Sequence, residues 1–195
     1  METNFIITDD FYQDVDSVRE FALNQPFDVK GNYPGQRTKT FWDWPGVKDS
    51  IQHIVRNAGG NITWYESEYT SSFQYTTKKD SSWIHPDHTT NWAAVCYLTP
   101  DAPASGGTGL FRHKETGMMR PPRLEDGKYD EEFLKKHIYP DSRDFSKWDM
   151  TGMVGNVYNR LVMYRGDLFH SSLDYFGTNR NNGRLFQTFF FNTEF

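Results

Sequence analysis

Arg184-Leu185-Phe186-Gln187-Thr188-Phe189-Phe190-Phe191 is the most apolar strand-like run in the chain. Aromatic residues crowd it and no Gly or Pro breaks it, which is strand chemistry. Working back from it, Arg160 to Tyr164, Gly109-Leu110-Phe111, Trp92 to Leu98, Ser72-Phe73-Gln74-Tyr75-Thr76 and Ile62-Thr63-Trp64-Tyr65 have the same character. Several short strands separated by Gly, Pro and Asp turns point to a β-sandwich or a jelly roll.

The first 60 residues differ. Phe5-Ile6-Ile7 is a short strand, and Thr8-Asp9-Asp10 offers helix N-caps. Phe11, Val15, Val18 and Ala22 follow at helical spacing, ending near Asn24-Gln25-Pro26. Residues 27–44 suggest loop with short extended pieces. Pro45 fits a first helical position, and Val47, Ile51, Ile54 and Val55 give a second amphipathic helix stopped by Gly59-Gly60. These two helices are expected to pack on one face of the sheet. Between Phe111 and Arg160 lies a polar insertion, residues 112–159, with Pro121-Pro122 and a short helix from Asp130 to His137. A loop of that length inside a compact domain is expected to be a lid, a binding loop or a disordered segment. With no repeat and no boundary, residues 1–195 form one domain: 1–60 as helical support and 61–195 as a β core.

Aromatic content of 17% with a mean hydropathy of −0.77 fits a core of few large rings wrapped in polar loops. The net charge is −5 and Lys and Arg form no block, which argues against a nucleic-acid partner. One cysteine, Cys96, excludes an internal disulfide. No stretch has the length of a membrane span or the make-up of a signal peptide, so a cytoplasmic protein is expected.

The chemistry gathers at Trp83-Ile84-His85-Pro86-Asp87. In an extended segment residues i and i+2 point the same way, so His85 and Asp87 can aim an imidazole and a carboxylate at one point. The spacing alone is weak, because a chain with this many His and Asp has a roughly even chance of holding His-x-Asp by accident. Context adds a third ligand. Asn159 to Tyr164 is a strand, Arg165-Gly166-Asp167 turns it, and Leu168-Phe169-His170 follows, placing an imidazole where it can complete a two-histidine, one-carboxylate face. Arg184, at the edge of the apolar strand, is expected to be a partly buried cation with no Asp or Glu nearby in sequence, unless it snorkels at the strand end or pairs with a distant acid. A buried cation needs an anion, and a dicarboxylate held bidentately would supply it.

The order His-x-Asp, strand, Gly106-Gly107 turn, strand, insertion, His170, then Arg184 on an aromatic strand resembles the Fe(II)/2-oxoglutarate-dependent oxygenases, prolyl-hydroxylase-like branch, over roughly residues 62–191. It is also similar to small oxygenases of marine bacteria and their phages. The resemblance implies a mainly β fold with flanking helices, a double-stranded β-helix (a cupin-like jelly roll). It implies His85, Asp87 and His170 as ligands of Fe(II), and Arg184 as the grip on the distal carboxylate of 2-oxoglutarate. Tyr97 and Tyr75 match active-site tyrosines of that branch. The family often has Ser or Thr two residues after the Arg, where this chain has Phe186; Thr188 on the same strand face is the expected substitute. A carboxylate at position 87 favours hydroxylation over halogenation. The partners implied are dioxygen and a small-molecule or peptidyl substrate selected by the insertion; Arg112, Arg120 and Arg123 on it are read either as anchors for an acidic group or as part of an ordinary solvated loop. His113 is expected at the substrate mouth, and His88, His53 and His137 near solvent. The competing reading is a cupin-like metal-binding module without oxidative turnover.

Overall fold

A computed structural model describes residues 2–39, 46–65 and 69–195. The protein is mainly β with few helices. In chain order it contains β1 (Phe5–Thr8), α1 (Val15–Leu23), β2 (Gln36–Arg37), α2 (Val47–Gly59), β3 (Asn61–Trp64), β4 (Phe73–Thr76), β5 (Trp92–Tyr97), β6 (Thr108–His113), α3 (Glu131–Phe133), β7 (Trp148–Val154), β8 (Leu161–Arg165), β9 (His170–Ser172) and β10 (Arg184–Glu194). A seven-stranded antiparallel sheet has the order β1-β8-β5-β10-β4-β2, with β3 pairing the far part of β10; a three-stranded sheet has the order β7-β6-β9. Among the described residues no helix is long and apolar enough to cross a membrane.

The alternation along β10 sorts the core. Leu185, Phe189 and Phe191 face α1 and α2, where Val18, Ala22, Val47, Ile51 and Val55 meet them. Phe186 faces the other way and packs with Tyr97, Val162, Tyr164 and Val154, the last from the three-stranded sheet. The helices therefore seal one face of the large sheet, and the space between the two sheets lies on the other. Ile51 is fully buried in the helix layer. Ile51→Ala should cost about 2–5 kcal/mol of stability in urea unfolding.

Helix ends follow local chemistry. α1 starts at Asp14, whose carboxylate accepts the Ser17 N–H at 3.1 Å and the Ser17 hydroxyl at 2.7 Å. The expected caps at Thr8-Asp9-Asp10 are used otherwise: Asp9 pairs with Arg160 at 2.6 Å, and Asp10 turns the chain with φ 53°. α2 stops as expected, since Gly60 has φ 84° and a Cβ there would lie 2.1 Å from the Glu194 carbonyl oxygen. The reading of Pro45 lies outside the described residues, as do positions 40–44 of the expected loop.

One element contradicts the sequence reading. β7 falls inside the stretch read as insertion, so the intervening segment without sheet runs from 114 to 147. Met150, Thr151 and Met153 are exposed, which erases the apolar alternation by which a strand is recognised. The expected helix is present, capped by Asp130 accepting from Phe133 N at 2.9 Å, and α3 continues as a π-helical turn over Leu134–Ile138. Cys96 is fully buried on the helix side, and burial pushes its thiol far up, away from nucleophilic use.

Candidate metal centre

His85 and His170 are opposed in an antiparallel bridge and exchange both backbone hydrogen bonds, each 3.0 Å. Directly opposed residues share a face, so the two rings stand side by side with centroids 4.6 Å apart. Asp87, two residues on, turns to the same point. One ligand atom from each of the three lies within 4.8 Å of the others. The Arg165-Gly166-Asp167 turn closes over them: the Asp87 N–H donates to the Gly166 carbonyl at 2.7 Å. A Cβ at Gly166 would lie 2.6 Å from the Thr90 carbonyl oxygen and 3.3 Å from the Asp87 Cβ, so glycine permits this approach.

Both imidazoles are oriented for ligation. His85 Nδ1 is 3.0 Å from the Trp83 carbonyl oxygen, and His170 Nδ1 is 2.8 Å from that of Leu168. Carbonyls accept only, so each Nδ1 carries the proton and each Nε2 presents a lone pair. Burial, then the neighbouring His170, push His85 down to about 4, with Asp87 opposing them. His85 is thus a neutral imidazole at physiological pH, the form that binds metal. Asp87 Oδ2 is buried with no hydrogen-bond partner and lies 3.7 Å from His170 Nε2. A buried carboxylate oxygen left without a donor is costly, and a cation between it and the two Nε2 atoms removes that cost. The donor set fits Fe(II).

A second group lies deeper between the sheets. Arg184 is 1% exposed; its Nε–H donates to the Gly106 carbonyl at 2.8 Å and an η nitrogen to that of Gly107 at 3.3 Å. Its guanidinium lies 4.4 Å from the Phe186 ring centre and 5.3 Å from that of Tyr97. Among the described residues no carboxylate pairs with it. Gly107 lacks room for a side chain, since a Cβ would lie 1.9 Å from the Val154 carbonyl oxygen, so glycine permits the turn to pack against β7. Tyr97 shares a hydrogen bond with Thr108 at 2.7 Å; burial raises its hydroxyl and the Arg184 charge opposes this. Tyr164 stands against His170 with ring centroids 4.7 Å apart, and burial and then Asp87 keep its phenol protonated.

The structure brings His85, Asp87 and His170 together, and sets Arg184 with Tyr97. It separates two other expected residues from this site. Tyr75 is the cross-strand partner of Leu185, so it shares the helix-side face, where it packs on Phe27 and donates to Gln36 Oε1 at 2.7 Å. Thr188 is on the inner face, but four residues along a strand is about 13 Å, and its hydroxyl donates to the Tyr69 carbonyl at 2.7 Å. The hydroxyl placed beside Arg184 is that of Thr76, its partner on β4, whose Oγ1 is buried with no hydrogen bond. Thr76, Thr108 and Tyr164 carry no motif; strand register alone reveals them.

A cleft of about 800 Å³ opens over His85 and Asp87, walled by Tyr33, Tyr69, Trp83, Tyr139 and Phe190 with Arg37 and Arg143. The arginines expected to meet substrate are engaged elsewhere: Arg112 pairs with Asp149 at 2.9 Å, Arg120 with Glu2 at 3.1 Å and Arg123 with Asp167 at 3.7 Å. His113 is also not at the mouth. It is fully buried, with Nε2 3.1 Å from Asp141 Oδ2 and Nδ1 3.1 Å from Thr116 Oγ1.

A family model described as "Family of unknown function (DUF6445)" matches residues 1–191. No curated protein matches the sequence. HygX from Streptomyces hygroscopicus, solved with nickel, 2-oxoglutarate and hygromycin B bound, is similar at 16% identity and a TM-score of 0.62, over 99% of this chain and 84% of that one. A prolyl hydroxylase from Trichoplax adhaerens, in complex with a hypoxia inducible factor peptide fragment, is similar at 12% identity and 0.58, over 97% and 84%. The non-heme alpha ketoglutarate dependent carbocyclase SnoK from nogalamycin biosynthesis is similar at 14% identity and 0.59, over 98% and 80%. At these identities the likeness is one of fold.

Proposed function

The chain belongs to DUF6445, whose description names no activity, and from its own site we propose that it is an Fe(II)- and 2-oxoglutarate-dependent dioxygenase that hydroxylates a C–H bond. The carrying observation is the partnerless buried Asp87 Oδ2 facing two imidazoles whose Nδ1 atoms are both tied to carbonyls. The two sheets are read as a double-stranded β-helix, the fold of the oxygenases this chain is similar to, with the triad at its open end.

His85, Asp87 and His170 would hold the metal, leaving coordination positions for cosubstrate and dioxygen. Bound there, Fe(II) would supply dioxygen activation, with one oxygen atom ending in succinate as 2-oxoglutarate loses carbon dioxide and the other in the hydroxylated product. The rest belongs to this chain's residues. Arg184, with Tyr97, Thr108 and Thr76 around it, receives the distal carboxylate of 2-oxoglutarate and gains its missing anion. Tyr164, Phe186 and Val162 line the space between with apolar surface and exclude water. The aromatic cleft seats the substrate over Asp87; its volume suits a small molecule or a single peptidyl side chain. HygX carries hygromycin B and the Trichoplax enzyme a peptide fragment, and both classes are retained for this chain.

The test is an anaerobic titration with Fe(II) followed by 2-oxoglutarate. A weak visible charge-transfer band should appear, and admitting air should convert 2-oxoglutarate to succinate. Tight metal binding with neither band nor succinate would favour a cupin-like binding module instead.

A further inference from the structure

Residues 114–147 have a small core of their own, built from Tyr129, Leu134 and Ile138 and closed by Trp148 at the start of β7. Residues from outside the segment are buried with that core, among them Ile84, which precedes His85, and Phe169, which precedes His170. The backbone contacts repeat this pattern. Ile84 N–H donates to the Ser142 carbonyl at 2.8 Å, and Phe169 N–H donates to the Met119 carbonyl at 2.8 Å. The third ligand is held directly, since the Tyr129 hydroxyl donates to the Asp87 carbonyl at 2.8 Å. Three separate points of residues 114–147 thus grip the chain at or next to all three ligands.

The grip is itself pinned. The buried His113 ring bridges Thr116 and Asp141 and lies 4.6 Å from the Trp148 ring. Trp148 Nε1–H donates to the Asp141 carbonyl at 3.0 Å, and its ring lies 5.1 Å from that of Phe169. This chain of contacts joins the two ends of the segment and finishes against the residue before His170.

We propose that residues 114–147 position the metal ligands, with Tyr129 as the positioning residue for Asp87, so that metal affinity depends on a segment that contributes no ligand. The inference rests on the metal-centre reading above. Partners that orient a metal ligand are worth tens of fold in affinity because they hold it in the binding geometry before the ion arrives. Tyr129 acts through a backbone carbonyl, and removing its hydroxyl keeps the ring and its packing on Arg123, whose guanidinium is 4.5 Å from the ring centre.

The experiment is isothermal titration of the full chain with Ni(II), an air-stable stand-in for Fe(II), alongside thermal unfolding of the metal-free proteins. Tyr129→Phe should weaken Ni(II) binding about tenfold with Tm held within a degree or two. Ser146→Ala, an exposed change in the same segment, should bind like wild type. Equal affinity of Tyr129→Phe and wild type would overturn the proposal and leave the metal centre standing. A loss of affinity matched by a large fall in Tm would also overturn it, since Tyr129 would then be a stability residue only. Absence of Ni(II) binding by wild type would overturn both readings.

Discussion

His170→Ala is expected to weaken Ni(II) or Fe(II) binding by more than about 100-fold and to end 2-oxoglutarate-dependent succinate formation, while the chain stays folded. His170 is 3% exposed and makes its backbone bridge to His85 through N–H and C=O, which alanine retains. What alanine loses is the imidazole lone pair set beside Asp87 Oδ2. His85→Ala and Asp87→Ala should give the same double loss in calorimetry and in succinate assay. Full cosubstrate-dependent turnover surviving all three changes would sink the assignment. The metal-free Asp87→Ala protein is the informative control for folding. It removes a buried oxygen with no partner, so its metal-free Tm should not fall far.

The second large effect belongs to Arg184. A buried cation resting on two carbonyls and two rings is solvated less well than in water, and no carboxylate among the described residues compensates it. Replacing such a charge with an apolar side chain of similar length is often neutral or stabilising. Arg184→Met should therefore leave the metal-free Tm unchanged or raised and spare Ni(II) affinity. It should weaken 2-oxoglutarate binding by about 100-fold or more, since loss of one partner of a buried ion pair costs about 3–5 kcal/mol. Wild type should gain Tm in millimolar 2-oxoglutarate through binding linkage, and the variant should not. A variant that loses metal and cosubstrate binding equally would make Arg184 a structural residue.

The parts legible in the sequence were those with period or punctuation. The two helices announced themselves through Val18 and Ala22, and through Ile51 and Val55, and Gly59-Gly60 marked a true stop. β10 was legible from composition. His85 and Asp87 were legible because an extended segment has a fixed period of two. The remainder depended on register, which no local pattern carries. Tyr75 and Thr76 are neighbours on β4, and pairing with Leu185 or Arg184 decides which of them faces inward. Had the pairing slipped by one residue, Tyr75 would stand where Thr76 does. Thr188 shares a face with Arg184, but four residues of strand rise already set it about 13 Å away, a distance the spacing itself carries. β7 is not legible because Met150 and Met153 are exposed on it, so polarity does not alternate along it. The engagements of His113 and the three arginines are not legible because their partners, Asp141, Asp149, Glu2 and Asp167, are distant in sequence.

β10 lies between β5 and β4 and also pairs β3, yet it follows every other strand in chain order. Its hydrogen bonds reach far back: that from Thr188 to the Ser72 carbonyl joins positions 116 residues apart. Until it inserts, β4 and β5 have no common partner, α1 and α2 lack Leu185, Phe189 and Phe191 to cover, and the inner space lacks Arg184. Pairings between such distant positions are the non-local contacts that slow folding. The same strand carries Leu185, Phe189 and Phe191 into the hydrophobic layer and Arg184 into the space between the sheets, so the core and the proposed cosubstrate grip share one element. A change that loosens β10 should therefore disturb the helix layer and the Arg184 end together.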